Sequence, residues 1–130
     1  MDMQSLIARA SDARIPISFR DGESGLVGCA LETSDGEIFT GVNIDVPCSM
    51  GFCAEHAAVA AMLGTGRTRI VRIATVYKDG RVIPPCGRCR ELLSQIDHGN
   101  LEAEVAVTND DTMTLRELLP MRWDAMKTGD

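Results

Sequence analysis

Two prolines, Pro84 and Pro85, stand directly before Cys86-Gly-Arg-Cys89, and this junction constrains the fold more than any other stretch of the chain. Proline is excluded from helix interiors but favoured just ahead of a helix start, so the spacing predicts a helix over Cys86 to Ile96 whose first turn carries two thiols. Residues three apart share a helix face, and Leu92, Leu93 and Ile96 continue that face toward the core, so both thiols are expected to point inward. A second helix start lies upstream, where Cys53-Ala54-Glu55 opens an apolar run that ends at Leu63 before Gly64. Two helices that each begin on cysteine are the main clue to chemistry.

A helix amino terminus carries about half a positive charge and lowers the pKa of a cysteine placed there, which makes thiolates available to a soft metal such as zinc. Three thiolates leave the fourth position of a tetrahedral zinc open, as in catalytic sites. They also give the centre a net negative charge, which the two helix ends and nearby Arg88 or Arg90 are expected to offset. Glu55, two residues from a ligand, supplies a proton acceptor and donor. The plainer readings are buried small hydrophobes, or a structural site closed by Cys48, His56 or His98. A thioredoxin-like Cys86-x-x-Cys89 needs no third cysteine and leaves Glu55 unexplained.

The remaining elements follow from periodicity. Leu6, Ile7, Ala10 and Ala13 recur at helical spacing, predicting an amphipathic helix over the first dozen or so residues. Leu26 to Leu31 and Glu37 to Val42 flank Ser34-Asp35-Gly36 and read as a hairpin. Arg69 to Tyr77 and Leu101 to Thr108 read as strands, with His98-Gly99-Asn100 ending the helix between them. Thr114 to Leu119 reads as a short helical turn before Pro120 and a tail. The order α, ββ, α, β, α, β implies βαβ crossovers and a mixed sheet with helices packed on it.

At 130 residues the chain reads as one domain, residues 1–130, large enough for a core without staples. The net charge of −6 and the absence of a Lys/Arg run argue against nucleic acid or anionic lipid as partner. The longest wholly apolar run, Ala57 to Leu63, is far short of the roughly 20 residues that span a bilayer. Asp2 stands where a signal peptide carries positive charge, and five cysteines are an odd number for a disulfide framework, so a cytoplasmic location is expected.

Cys53-Ala54-Glu55 followed by Pro85-Cys86-Gly87-Arg88-Cys89-Arg90 resembles the zinc-dependent cytidine deaminase family, which includes blasticidin-S deaminases. Asp35-Gly36, Phe39 to Asn43 and Arg116-Glu117-Leu118-Leu119-Pro120 resemble it too, so the likeness covers most of the chain. The resemblance implies an α/β three-layer fold: a mixed five-stranded sheet with helices on both faces. It implies one Zn²⁺ per chain held by Cys53, Cys86 and Cys89, and Glu55 as the catalytic group that relays protons from water to the cytosine ring and the departing ammonia. It further implies that Asn43 binds the ribose, that the Ala54 backbone touches the base, and that Trp123 reaches a neighbouring subunit's site in a homotetramer.

Three positions depart from the family pattern. His56 replaces the arginine that usually follows the motif glutamate and partners the thiolates, Asp45 replaces a glutamate near the sugar, and Gly25 stands where an aromatic is usual. The expected activity is deamination of cytidine or deoxycytidine to uridine or deoxyuridine. The alternatives are a deaminase of a cytosine nucleoside antibiotic such as blasticidin S, and a non-catalytic zinc-stabilised ligand-binding protein.

Overall fold

In the computed structural model, residues 1–128 are described; the last two residues of the expected 1–130 domain lie outside them. Helix α1 (Met3–Ala13) starts where Asp2 accepts a hydrogen bond from the Ser5 backbone, and its buried stripe is Leu6 and Ala10. Strands β1 (Ile17–Phe19), β2 (Gly22–Thr33) and β3 (Ile38–Asp45) come next, followed by α2 (Ala54–Leu63) and β4 (Ile70–Val76). Helix α3 (Gly87–Ile96), a 3-10 turn (His98–Glu102), β5 (Glu104–Ala106), β6 (Thr112–Thr114), α4 (Leu115–Leu118) and α5 (Trp123–Thr128) complete the chain.

The sheet is mixed. Residues Gly28 to Glu32 of β2 pair with both β3 and β4, so these two strands flank β2 on opposite sides, both antiparallel to it. Among the described residues only β4 and β5 run parallel, joined by α3 as the sequence order implied. Six strands pair where five were expected; β1 and β6 are three-residue edge strands too short to show periodicity.

Alternation along the strands separates two cores. Ala30, Ala74, Val76 and Ala106 face α1, and Cys29, Leu31, Ile73 and Val105 face α2 and α3. The result is the helix, sheet, helix sandwich that was expected. The close seating of α2 depends on Gly41 of β3, where a methyl group would overlap the Ala58 backbone nitrogen and the Ala57 side chain.

Two expectations need correction. The residues Leu101 to Thr108 do not form one strand, because Leu101 belongs to the 3-10 turn and only Glu104–Ala106 pair. The cause is Asn100, fully buried, whose side chain accepts from Ile70 N and donates to Thr68 O and Leu93 O. Those bonds pin the turn between β4 and α3 and delay the strand. The tail after Pro120 also holds a helix, α5, tied back by a hydrogen bond from Trp123 to Glu91 and by the approach of His98 Nε2 to Asp124 at 3.5 Å.

Candidate metal centre and active site

Cys53 and Cys86 are the N-caps of α2 and α3, one residue outside the helices that the sequence was expected to start on them. Their side chains make no cap hydrogen bond, which leaves both sulfurs free for another partner. Cys89 lies in the first turn of α3. The Cys86 sulfur is 3.6 Å from that of Cys53 and 3.4 Å from that of Cys89, and all three lie within 4.8 Å of one another. Zinc–sulfur bonds of about 2.3 Å at tetrahedral angles require sulfur edges of about 3.8 Å, so the cluster fits one zinc ion. Of the two α3 thiols expected to point inward, only Cys89 is buried; Cys86 is exposed and opens onto the pocket, because a cap residue stands off the helix face.

The pocket has a volume of ≈ 530 Å³ and lies between the ends of α2, α3 and β3. Cys53, Cys86 and Glu55 line one end of it, and Asn43 and Asp45 line it from β3. Val27, Phe52 and Ile83 supply apolar wall, none of which the sequence had singled out. Such a cavity, apolar with a few convergent polar groups, suits a flat ring carrying a polar substituent.

Glu55 is only 4% exposed, and burial pushes its carboxyl above the ordinary value, against opposing hydrogen bonds from its own backbone and from the Thr75 hydroxyl. A carboxyl raised by burial holds a proton more readily than an exposed one, which suits a group that both accepts and returns protons. Burial, reinforced by the Glu55 charge, raises the Cys89 thiol strongly. Partial desolvation also pushes Cys86 up, but hydrogen bonds from the Cys89 backbone and thiol and from Cys53 outweigh it and leave Cys86 below its ordinary value.

The three cationic candidates separate cleanly. His56 lies with Nδ1 3.6 Å from the Cys89 sulfur, its ring stacked on Phe52. Burial, followed by the Arg88 charge, lowers its pKa. Arg88 lines the pocket without touching a thiol, and Arg90 donates to Pro85 O at 2.7 Å and Leu118 O at 3.1 Å. Arg90 therefore clamps the Pro84-Pro85 approach and α4 together.

On the sugar side, Asn43 Oδ1 accepts from Val27 N at 2.9 Å and its Nδ2 donates to Asp45 at 3.0 Å. Val27 reaches that position because β2 bulges between Ser24 and Gly28, where Gly25 has φ +78°. A side chain at Gly25 would strike the Ile15 carbonyl, so an aromatic is excluded by the backbone. Ala54 is fully buried and belongs to the pocket lining. Trp123 is 56% exposed and lies away from the pocket of its own chain.

A family model described as the cytidine and deoxycytidylate deaminase zinc-binding region matches residues 3–103. The chain belongs to the cytidine and deoxycytidylate deaminase family. A cytidine deaminase of Halalkalibacterium halodurans is 34% identical over 143 aligned positions covering 100% of both chains. A Mycobacterium tuberculosis cytidine deaminase is 42% identical over 77 residues, 58% of this chain and 56% of that one. Among solved structures, the M. tuberculosis cytidine deaminase superposes with a TM-score of 0.79 at 32% identity, covering 95% of this chain and 98% of that one. The cytidine deaminase of M. leprae gives 0.78 at 31% identity over 93% and 99%. The zinc of this deaminase family matches the cluster of Cys53, Cys86 and Cys89 in charge, spacing and donor type.

Proposed function

We propose that this chain is a zinc-dependent hydrolase that deaminates the cytosine ring of a free nucleoside, converting cytidine or deoxycytidine and water to uridine or deoxyuridine and ammonia. The observation that carries this reading is the convergence of three thiols within 4.8 Å and a buried, pKa-raised glutamate on one pocket.

Cys53, Cys86 and Cys89 would hold the ion, and zinc bound there supplies Lewis acidity that activates water for attack at C4 of the ring. Glu55 takes a proton from the attacking water and gives it to the ring nitrogen, then takes the second proton from the hydroxyl formed on C4 and gives it to the amino group, which leaves as ammonia. His56, with Nδ1 3.6 Å from the Cys89 sulfur, stands in the place of the family's arginine and would steady that thiolate by a hydrogen bond in the tautomer that carries its proton on Nδ1. Arg88 adds positive charge at the pocket wall, and Arg90 fixes the loop that leads to Cys86. Asn43 and Asp45, already bonded to each other, present the remaining polar atoms to the sugar hydroxyls, and the Ala54 backbone contacts the base.

Residues 1–130 act as a single catalytic domain in a homotetramer. Helix α2 is apolar nearly all round, and Ala60, Ala61 and Leu63 lie exposed on it, which suits burial against another copy. Trp123 then reaches a neighbouring subunit's pocket. No helix among the described residues is long and apolar enough to cross a membrane. Free thiols at the metal site suit the reducing cytoplasm, where we place the protein.

The test is zinc content alongside loss of ultraviolet absorbance on cytidine, deoxycytidine and blasticidin S. Turnover of the nucleosides with one zinc per chain is the expected result. Turnover of the antibiotic alone, or bound zinc without turnover of any of the three, would overturn it.

A further inference from the structure

One rung of the sheet runs directly beneath the first turns of α2. Gly41 of β3 is the register partner of Cys29 of β2, and Cys29 is the register partner of Thr75 of β4. Residues directly opposite one another project to the same face, and Cys29 belongs to the core shared with Ala54, Ala58 and Val59, so the Thr75 side chain also rises toward α2. Gly41 leaves room for the helix to descend onto this rung. Glu55, on the first turn, is thereby lowered onto a floor made of one small residue, one thiol and one hydroxyl.

Thr75 is 2% exposed and Cys29 0%, so both polar groups are sealed from water. A hydroxyl in such a place must spend its hydrogen bonds on neighbours. The groups that interact with it are the Glu55 carboxyl and the Cys29 thiol. Burial holds Cys29 as an S–H group, a weak donor toward the Thr75 oxygen, which leaves the hydroxyl's own proton for the carboxylate. The Glu55 carboxyl also interacts with its own backbone and with the Cys89 thiol, and the Thr75 hydroxyl is the partner that comes to it from the sheet.

We propose that Thr75 is a positioning residue for Glu55: from the sheet floor its hydroxyl fixes one carboxylate oxygen, so that the other faces the pocket and exchanges protons there. The inference rests on the deaminase reading, since it assigns Thr75 a role through the proton-transfer group of that reaction. Neither residue lies near the other in sequence, and only the antiparallel register of β2 and β4 brings the threonine under the helix.

The experiment compares the parent enzyme with T75V, which keeps the β-branched shape, with T75S, which keeps the hydroxyl, and with T75A as a second hydroxyl-free variant. Each is assayed for zinc content, melting temperature, kcat and KM on cytidine. Each is also tested for affinity for uridine and for a nucleoside analogue with a hydroxylated tetrahedral C4. In T75V and T75A, kcat is expected to fall about ten- to a hundredfold, the worth of one hydrogen bond to a charged group. KM, zinc content and uridine affinity should stay near parental values, affinity for the tetrahedral analogue should fall in step with kcat, and T75S should recover most of the loss. Parental kcat in either T75V or T75A overturns the proposal. Equal losses in T75S and T75V, or a loss that tracks zinc or melting temperature, overturn it in favour of packing. A zinc-loaded parent that turns over no cytosine nucleoside removes the deaminase reading itself, and this proposal with it.

Discussion

Glu55 and His56 are adjacent in sequence but face different partners, and substitutions at each should fail differently. Glu55→Gln keeps the shape and a hydrogen-bonding group, so zinc should be retained while kcat drops by about a hundred- to ten-thousandfold, the usual worth of positioned proton transfer. Steady-state kinetics with metal analysis checks it. His56→Phe keeps the stack on Phe52 but loses the contact with the Cys89 sulfur. Zinc affinity should weaken about ten- to a hundredfold, read by chelator competition, since partners of metal ligands contribute on that scale. The motif glutamate was legible from its spacing to Cys53. His56 was legible only as a departure; its contact with Cys89 depends on how closely α2 and α3 approach, which no local pattern encodes.

At the scale of elements, the helix and strand order was legible because periodicity is a local property. Helices α1, α2 and α3 and the β2–β3 hairpin form where the apolar spacing and the turn and stop residues place them. The missed elements are short, and β1, β6 and α5 are held by pairing or docking more than by pattern. Gly41→Ala tests the seating of α2: the added methyl has no space, so the helix must lift. A stability loss of about 1–3 kcal/mol in denaturant unfolding, accompanied by weaker zinc binding, is expected from such overpacking. At α4, the capping box of Thr114 and Glu117 holds the Glu117 carboxyl below its ordinary value through hydrogen bonds from the Thr114 backbone and hydroxyl. A lowered folded-state pKa stabilises fully above the unfolded value of 4.5 and is lost as pH falls through the folded value. Acid unfolding of Thr114→Ala should accordingly show less pH dependence in that window than the parent, measured by thermal melts across pH 3 to 6, a range set around the ordinary carboxylate pKa.

For the whole molecule, zinc joins the amino termini of α2 and α3, two helices that otherwise contact each other through few residues. Metal binding to the folded state alone adds stability by mass action, about 4 kcal/mol at a thousandfold excess over the dissociation constant. Chelation should therefore lower the melting temperature by about 10 °C or more, and zinc should restore it. Light scattering should return four times the chain mass, and Leu63→Glu, on the exposed face of α2, should reduce it. The sequence by itself placed Cys53, Cys86, Cys89 and Glu55 at two helix starts and set the alternation of strands and helices, because spacing within one helix start or one strand fixes which side chains share a face. The tertiary structure alone decided that Cys53 reaches Cys86, that His56 meets Cys89, that Gly25 must bulge so Val27 can hold Asn43, and that Thr75 lies beneath Glu55. Each of these joins residues from separate elements, and their meeting is set by strand register and helix depth, quantities that belong to the packed sheet and not to any segment of the chain.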